Sequence, residues 1–251
     1  MDLGLRDRVY VVTGATRGLG RASAEALLAE GAKVLVTGRE QAAVDAAVKE
    51  LGAGAAGLAA DNADPGTPER LFAEARARFG GLDGVLISVG GPAPGFAAEN
   101  TDAQWATAFD TVFLGAVRLA RAAADVLPAG GVIGFVLSAS VHEPIAGLTI
   151  SNGLRPGLAG FAKSLANDLG PRGIRVVGLL PNRIDTDRVR SLDALSGDAE
   201  ASRAANEGRI PLRRYGTPEE FGRTAAFLLS PAASYLTGVM LPVDGGARGG
   251  F

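Results

Sequence analysis

Thr13-Gly14-Ala15-Thr16-Arg17-Gly18-Leu19-Gly20 is the stretch on which the reading of the fold turns. It follows an apolar run, Val9-Tyr10-Val11-Val12, and leads into a helical pattern that begins at Leu19. A strand, a glycine turn and a helix N-terminus in that order make a phosphate site, because the first N–H groups of a helix have no intrahelical partner and face the ligand. Gly14 allows the sharp turn, Gly18 lets backbone approach a ligand, and Gly20 lets the helix pack tightly on the strand. Gly14, Thr16, Arg17, Gly18, Leu19 and Gly20 are therefore the candidate phosphate-binding residues.

Outward from that loop, strand and helix patterns alternate, which predicts βαβ units around a parallel sheet. Strands are expected at residues 33–37, 54–60, 84–88, 132–138, 174–180 and 239–243. Helices are expected at residues 19–30, 41–51, 67–79, 151–169 and 217–229. Thr67-Pro68 reads as a capping residue and a first-turn proline, and Thr217 with Glu220 has the spacing of a capping box. Residues 102–127 read as one long helix broken near Asp110, with Trp105, Phe109, Val112, Phe113 and Ala116 on one face. Residues 182–210 are polar and charged and begin without periodicity, so they are expected to form a mobile lid over a substrate.

Composition narrows the class. The 251 residues, 47% hydrophobic, suit a single α/β domain spanning 1–251. With 25 basic and 27 acidic residues the net charge is −2, which provides no broad basic face for nucleic acid or an anionic membrane. The chain has no cysteine and one histidine, His142, so neither a disulfide nor a metal site is expected. No apolar run approaches the ~18 residues of a membrane span, and the opening MDLGLRDR lacks the apolar core of a signal peptide. A cytoplasmic protein is expected.

Several separate pieces, in order, carry a resemblance over nearly the whole length. They are TGATRGLG, Asp61 after the third strand, GLDGVL into the fourth, a serine ending the fifth, GIRVVGLLP in the sixth, and TPEE, AAFLLSP and YLTGVMLPVDGG toward the C-terminus. The chain resembles the short-chain dehydrogenase/reductase family. That resemblance implies a Rossmann-type doubly wound sheet of seven parallel strands in the order 3-2-1-4-5-6-7, a nicotinamide cofactor across the carboxyl ends of the strands, and a homotetramer or homodimer. It also implies that Asp61 and Asn62 border the adenine, that Gly90, Pro181 and Ile184 belong to the cofactor site, and that Thr186 lies near the carboxamide and phosphates. Asn182 stands where the family usually has glycine.

A carboxylate at the end of the second strand would bond the ribose 2′-hydroxyl and repel a 2′-phosphate. Here the segment is Thr37-Gly38-Arg39, and Arg39 with Arg17 suits phosphate, which points to NADP(H). NAD(H) remains the alternative, since Glu40 beside Arg39 offsets part of that charge.

The chemical site departs from the family. Its usual set is an Asn, a Ser, and a Tyr and Lys spaced Y-x-x-x-K. Aligned without a gap on Lys163-Ser164-Leu165-Ala166, this chain puts Ser151 at the tyrosine, Arg155 at the lysine and Val112 at the asparagine. Ser138 lies 13 residues before Ser151, the family's serine spacing, with Ser140 as the alternative. Ser151-Asn152-Gly153-Leu154-Arg155 is similar to a subgroup that carries S-N-x-x-R in that place. The resemblance thus implies Ser138, Ser151 and Arg155 as catalytic residues. Two functions follow from it. One is NADP(H)-dependent reduction of a carbonyl (3-oxoacyl-type, ketone or aldehyde) or a similarly polarised double bond, with the proton from Ser151, His142 or water. The other is an NADP(H)-binding protein without turnover, acting as a redox sensor or assembly partner. Gly91–Phe96 and Val189–Ile210 are the expected walls of the substrate pocket.

Overall fold

The computed structural model of the chain describes residues 2–250. Seven parallel strands form one sheet: β1 Val9–Val12, β2 Lys33–Gly38, β3 Ala55–Ala59, β4 Gly84–Ile87, β5 Val132–Val136, β6 Arg175–Pro181 and β7 Val239–Val243. Their order is β3-β2-β1-β4-β5-β6-β7, the one expected. Val11 of β1 lies between Leu35 of β2 and Val85 of β4, so the glycine loop leaves the middle of the sheet where the strand order reverses. β1, β4 and β5 are buried on both faces, which is why their sequences are continuous apolar runs instead of alternating ones.

The helices are α1 Gly18–Ala29, α2 Gln41–Leu51, α3 Thr67–Phe79, α4 Asp102–Ala108, α5 Gly115–Val126, α6 Thr149–Leu169, α7 Asp187–Ala194, α8 Ala199–Arg209 and α9 Pro218–Leu229. One face of the sheet packs on α3, α5 and α6 through Leu71, Phe72, Leu119, Leu158 and Leu165. The other packs on α1 and α9 through Leu27, Phe221, Ala225 and Leu228. The capping box at Thr217 and Glu220 forms, with reciprocal bonds between each side chain and the other's N–H. No described helix is long and apolar enough to cross a membrane.

Four local features differ from the sequence reading. The long helix over 102–127 is two helices joined by a π-helical segment, Phe109–Leu114, in which the Gly115 N–H donates to Asp110 O, five residues back. The wider turn rotates the face, so Val112 and Ala116 are buried while Phe109 is 44% exposed. Gly115 at its end admits the Asn62 carbonyl, which lies 2.3 Å from where a Cβ would sit. Thr67 does not cap α3; Gly66 holds that position, and the Thr67 hydroxyl donates to Asp61 O at 2.6 Å. α6 starts two residues earlier than expected and carries Pro156 in its interior, where a ring removes one intrahelical bond. Residues 182–210, expected as a lid with no helix assigned within it, hold α7 and α8.

α1 and α9 touch closely at Gly222, where a Cβ would lie 2.3 Å from Ala22 O. Gly160 on α6 has nothing within 4 Å of that position. Gly222→Val is expected to lower stability by about 2 kcal/mol or more through overpacking, and Gly160→Ala to raise it by ~0.5–1 kcal/mol through helix propensity. Denaturant titration reads both, and a neutral Gly222→Val removes the proposed backbone contact as a constraint.

Candidate active site

At the carboxyl ends of the central strands, the glycine loop is pinned from both sides. Thr13 Oγ1 donates to Ser88 O at 2.8 Å and accepts from Ser88 N at 2.9 Å, while Ala15 N donates to Thr37 O at 2.8 Å. Gly14 adopts φ +56°, and a Cβ there would lie 2.6 Å from Ser88 O. At Gly20 it would lie 2.4 Å from Gly14 O. The loop is a cradle that only glycine permits, and it ends on the N-terminus of α1, where Arg17 is extended and makes no side-chain cap. Those N–H groups stay available to an anionic ligand. The residues fit the phosphates of a dinucleotide.

The other expected cofactor residues fall around the same edge. Thr16 Cγ2 lies 2.6 Å from the Cβ position of Gly38, so Arg17 and Arg39 each follow one side of a single contact. Both arginines are exposed, and neither has an ion pair among the described residues. Leu19 is half-buried and Gly90 open to solvent. Asp61 is exposed, its carboxylate accepting from Ala63 N at 3.0 Å. Pro181 ends β6 opposite Val243. Ile184 is buried and bridges to Gly216. Thr186 stands at the N-cap position of α7 without a side-chain cap bond, its methyl 4.0 Å from the Cβ position of Gly18, which brings the β6 exit over the glycine loop.

Ser151 and Arg155, one turn apart on α6, face the ends of β4 and β5. Arg155 is 5% exposed; its Nη1 donates to Val136 O at 2.6 Å and its Nη2 to Val89 O at 3.4 Å. No carboxylate among the described residues pairs with it. Burial pushes its ionisation down to about 10, and the nearby Arg188 pushes in the same direction. Ser151 Oγ lies 3.2 Å from Ser140 Oγ. The Ser138 hydroxyl accepts from Ser140 N at 3.1 Å, capping a 3-10 turn over Ala139–Val141. The hydroxyl touching Ser151 is thus that of Ser140, while Ser138 sits beside it with its own O–H free to donate. Val112, at the family's asparagine position, packs with Ala108, Ile150 and Leu154. Asn152 anchors the loop before α6 by accepting from Ile145 N and donating to Ile145 O.

A cavity of about 80 Å³ opens at Ala139, and none of Ser138, Ser140 and Ser151 lines it. Its wall includes Ala139, His142, Glu143, Asn182 and Asp244, from the β5 and β6 exits and the C-terminal segment. Neither Gly91–Phe96 nor Val189–Ile210, the expected walls, lines it. Sequence reading missed Arg188, whose Nη2 donates to Pro92 O at 2.7 Å and so ties α7 to the loop after β4. It also missed the buried Asp193, which holds α7 in place by accepting from Arg183, Ser202 and Tyr215. An arginine and an aspartate in a polar helix carry no sequence signal that separates them from surface charges.

A family model described as enoyl-(acyl carrier protein) reductase matches residues 14–248. The chain belongs to the short-chain dehydrogenase/reductase family. Among relatives of this reductase-type oxidoreductase, the 3-oxoacyl-[acyl-carrier-protein] reductase FabG of Escherichia coli is 33% identical, covering 95% of this chain and 96% of that one. Two similar solved structures have TM-scores of 0.92 and cover both chains fully. They are a short-chain dehydrogenase/reductase from Brucella melitensis at 29% identity and the L-sorbose reductase from Gluconobacter frateurii, complexed with NADPH and L-sorbose, at 28%.

Arg155 contrasts with Arg175, also buried, whose guanidinium donates to Leu228 O, Ser230 O and Leu236 O and closes the C-terminus of α9. A buried charge without a counter-ion works against folding, whereas a helix cap supports it. In thermal unfolding, Arg155→Met should leave the midpoint unchanged or raise it by up to about 3 °C, while Arg175→Met lowers it by ~4–8 °C. An equal drop in both variants would mean that Arg155 is structural.

Proposed function

We propose that this chain is an NADP(H)-dependent reductase of carbonyl compounds in which Ser138, Ser151 and Arg155 stabilise the developing negative charge. The carrying observation is Arg155, a buried guanidinium without a carboxylate partner, one turn from Ser151 and beside the exit of β5. The glycine cradle holds the phosphates of the cofactor, with Asp61 and Asn62 at the adenine and Gly90, Pro181, Ile184 and Thr186 toward the nicotinamide. Exposed Arg17 and Arg39 favour the 2′-phosphate form, and the sorbose reductase with the same fold was solved with NADPH.

When bound, that cofactor supplies a hydride to the carbonyl carbon. The chain's own residues handle the rest. Ser151 and Ser138 donate hydrogen bonds to the carbonyl oxygen as it gains charge, with Ser140 holding the Ser151 hydroxyl in line. Arg155 supplies a fixed positive charge in a site from which water is largely excluded, where such a charge is worth far more than in bulk water. A serine hydroxyl is a poor acid and Arg155 keeps its proton, so the proton comes from water in the cavity beside His142. The α7–α8 excursion covers the substrate, latched by Arg188 on Pro92.

NADPH oxidation over a panel of carbonyls tests this reading. Arg155→Ala and Ser151→Ala should each lower kcat by about a hundredfold, and Ser138→Ala by at least about tenfold. Fluorescence titration should find NADPH bound more tightly than NADH, with the preference lost in Arg39→Ala. Equal residual rates in wild type and variants favour a cofactor-binding protein without turnover, and tighter NADH binding overturns the assignment of Arg17 and Arg39.

Tyr235 is fully exposed and the apolar strand β7 only half-buried, which favours their burial against another copy of the chain as a homodimer or homotetramer. A monomeric mass by light scattering refutes that assembly.

A further inference from the structure

Two guanidiniums converge on the short loop after β4. Arg155 reaches it from α6 through Val89 O, and Arg188 reaches it from α7 through Pro92 O. Between these two carbonyls, Gly91 leaves its Cβ position 3.0 Å from Arg188 Nε, so a side chain there would meet the Arg188 guanidinium. Neither cation has an ion pair among the described residues, although carboxylates are close in sequence. Asp185 pairs with Arg190 and Arg203, Asp187 with Arg190, and Asp193 with Arg183. Glu143 and Asp244 on the cavity wall pair with neither. The acids of the α7 segment are thus directed to other arginines, and the site keeps two like charges, one of them 95% buried by its 5% exposure.

Such an arrangement is costly unless an anion completes it. Arg155 uses two of its five N–H donors on carbonyls, so its remaining donors are free for a ligand. The position of that ligand is set by the helix. Ser151 and Arg155 stand at i and i+4, about 5–6 Å apart at their Cβ atoms. A carbonyl oxygen on the Ser151 hydroxyl and an anionic group on Arg155 would therefore meet the same face of α6.

We propose that the Arg155–Arg188 pair is a carboxylate site, and that the carbonyl substrate of this enzyme is a short oxo acid whose carboxylate meets the arginines while its ketone meets Ser151. This rests on the reductase reading above. The carboxylate is unchanged in the reaction: hydride and a water proton add across C=O, NADPH is oxidised, and a hydroxy acid results. Planar guanidinium suits a carboxylate through paired N–H donors. The carboxylate's charge offsets the like-charge repulsion between the two arginines, and it fixes the ketone over Ser151.

Turnover of pyruvate and acetoacetate with NADPH, against their ethyl esters, reads the substrate preference. Binding of oxamate, a non-reducible oxo-acid mimic, against neutral oxamide, read by thermal shift of the NADPH complex, reports the site without catalysis. We expect kcat/KM for the acids to exceed that of the esters by at least about tenfold, stabilisation by oxamate alone, and collapse of both effects in Arg188→Met. Arg188 is the variant of choice because it lies outside the core; Arg155→Lys, which keeps a charge without the planar fork, should weaken oxamate binding in the same direction. Where carbonyls are reduced, acids no better than esters, or an acid preference that survives Arg188→Met, overturns the carboxylate site. So does weaker NADPH binding in Arg188→Met with oxamate binding intact, which would assign the charge to a cofactor phosphate. If neutral carbonyls are reduced and oxamate does not bind, the carboxylate site falls and the reductase stands. If oxamate binds in an Arg188-dependent way but no carbonyl is reduced, the anion site stands and the reductase falls.

Discussion

The contact between the turn after β1 and the end of β4 sets the geometry on which the rest of the molecule depends. Gly14 has no room for a Cβ because Ser88 O lies 2.6 Å from that position, and Gly20 has none because Gly14 O lies 2.4 Å away. Two backbone carbonyls therefore determine how closely α1 approaches the sheet and where its N-terminus points. Thr13 holds the same junction by exchanging bonds with both backbone groups of Ser88. The loop following Ser88 carries Val89, Gly91 and Pro92, the residues against which both site arginines are placed. The cofactor cradle and the charged corner are thus two sides of one packed junction.

Most of the fold was legible because each βα unit wrote its own signals: a buried apolar strand, a glycine or cap, then an amphipathic helix. Thr217 with Glu220 announced the start of α9 correctly, since both partners of that box lie within four residues of sequence. Thr67 did not, because its hydroxyl found a carbonyl six residues back, Asp61 O, which local spacing cannot reveal. The π-helical segment at Phe109–Leu114 was visible only as a suspected break near Asp110. Gly115 at its end lies against the Asn62 carbonyl, and periodicity carries no trace of that partner. Helices α7 and α8 escaped for a related reason. Their stability comes from ion pairs and from Asp193, buried among Arg183, Ser202 and Tyr215, and a polar segment that buries charge reads like one that exposes it.

The chemical corner was less legible than the cradle. A glycine loop is constrained by its own backbone, so its meaning travels with the sequence. A serine's meaning depends on which neighbour its hydroxyl meets. Spacing selected Ser138 over Ser140, and the structure puts Ser140 Oγ against Ser151 while Ser138 accepts from the Ser140 N–H. Both serines belong to one turn, and their roles are divided by the direction of two hydrogen bonds. Arg155 could be placed opposite the strand ends by counting, yet the feature that gives it significance, burial without a carboxylate, is a property of everything around it.

Arginine at this position also changes what the site is able to do with a proton. A lysine amine on a flexible stem swings and exchanges protons when burial lowers its pKa. Arg155 is held by Val136 O at the end of β5 and Val89 O in the loop after β4, and even burial together with Arg188 leaves it ionising near 10, far above neutrality. It is a fixed charge, not a carrier. In the proposed reaction, proton delivery is therefore separate from charge stabilisation. The proposed oxo acid suits such a division, because its own negative charge on the arginine side secures the carbonyl before the proposed reaction adds a second charge on the serine side.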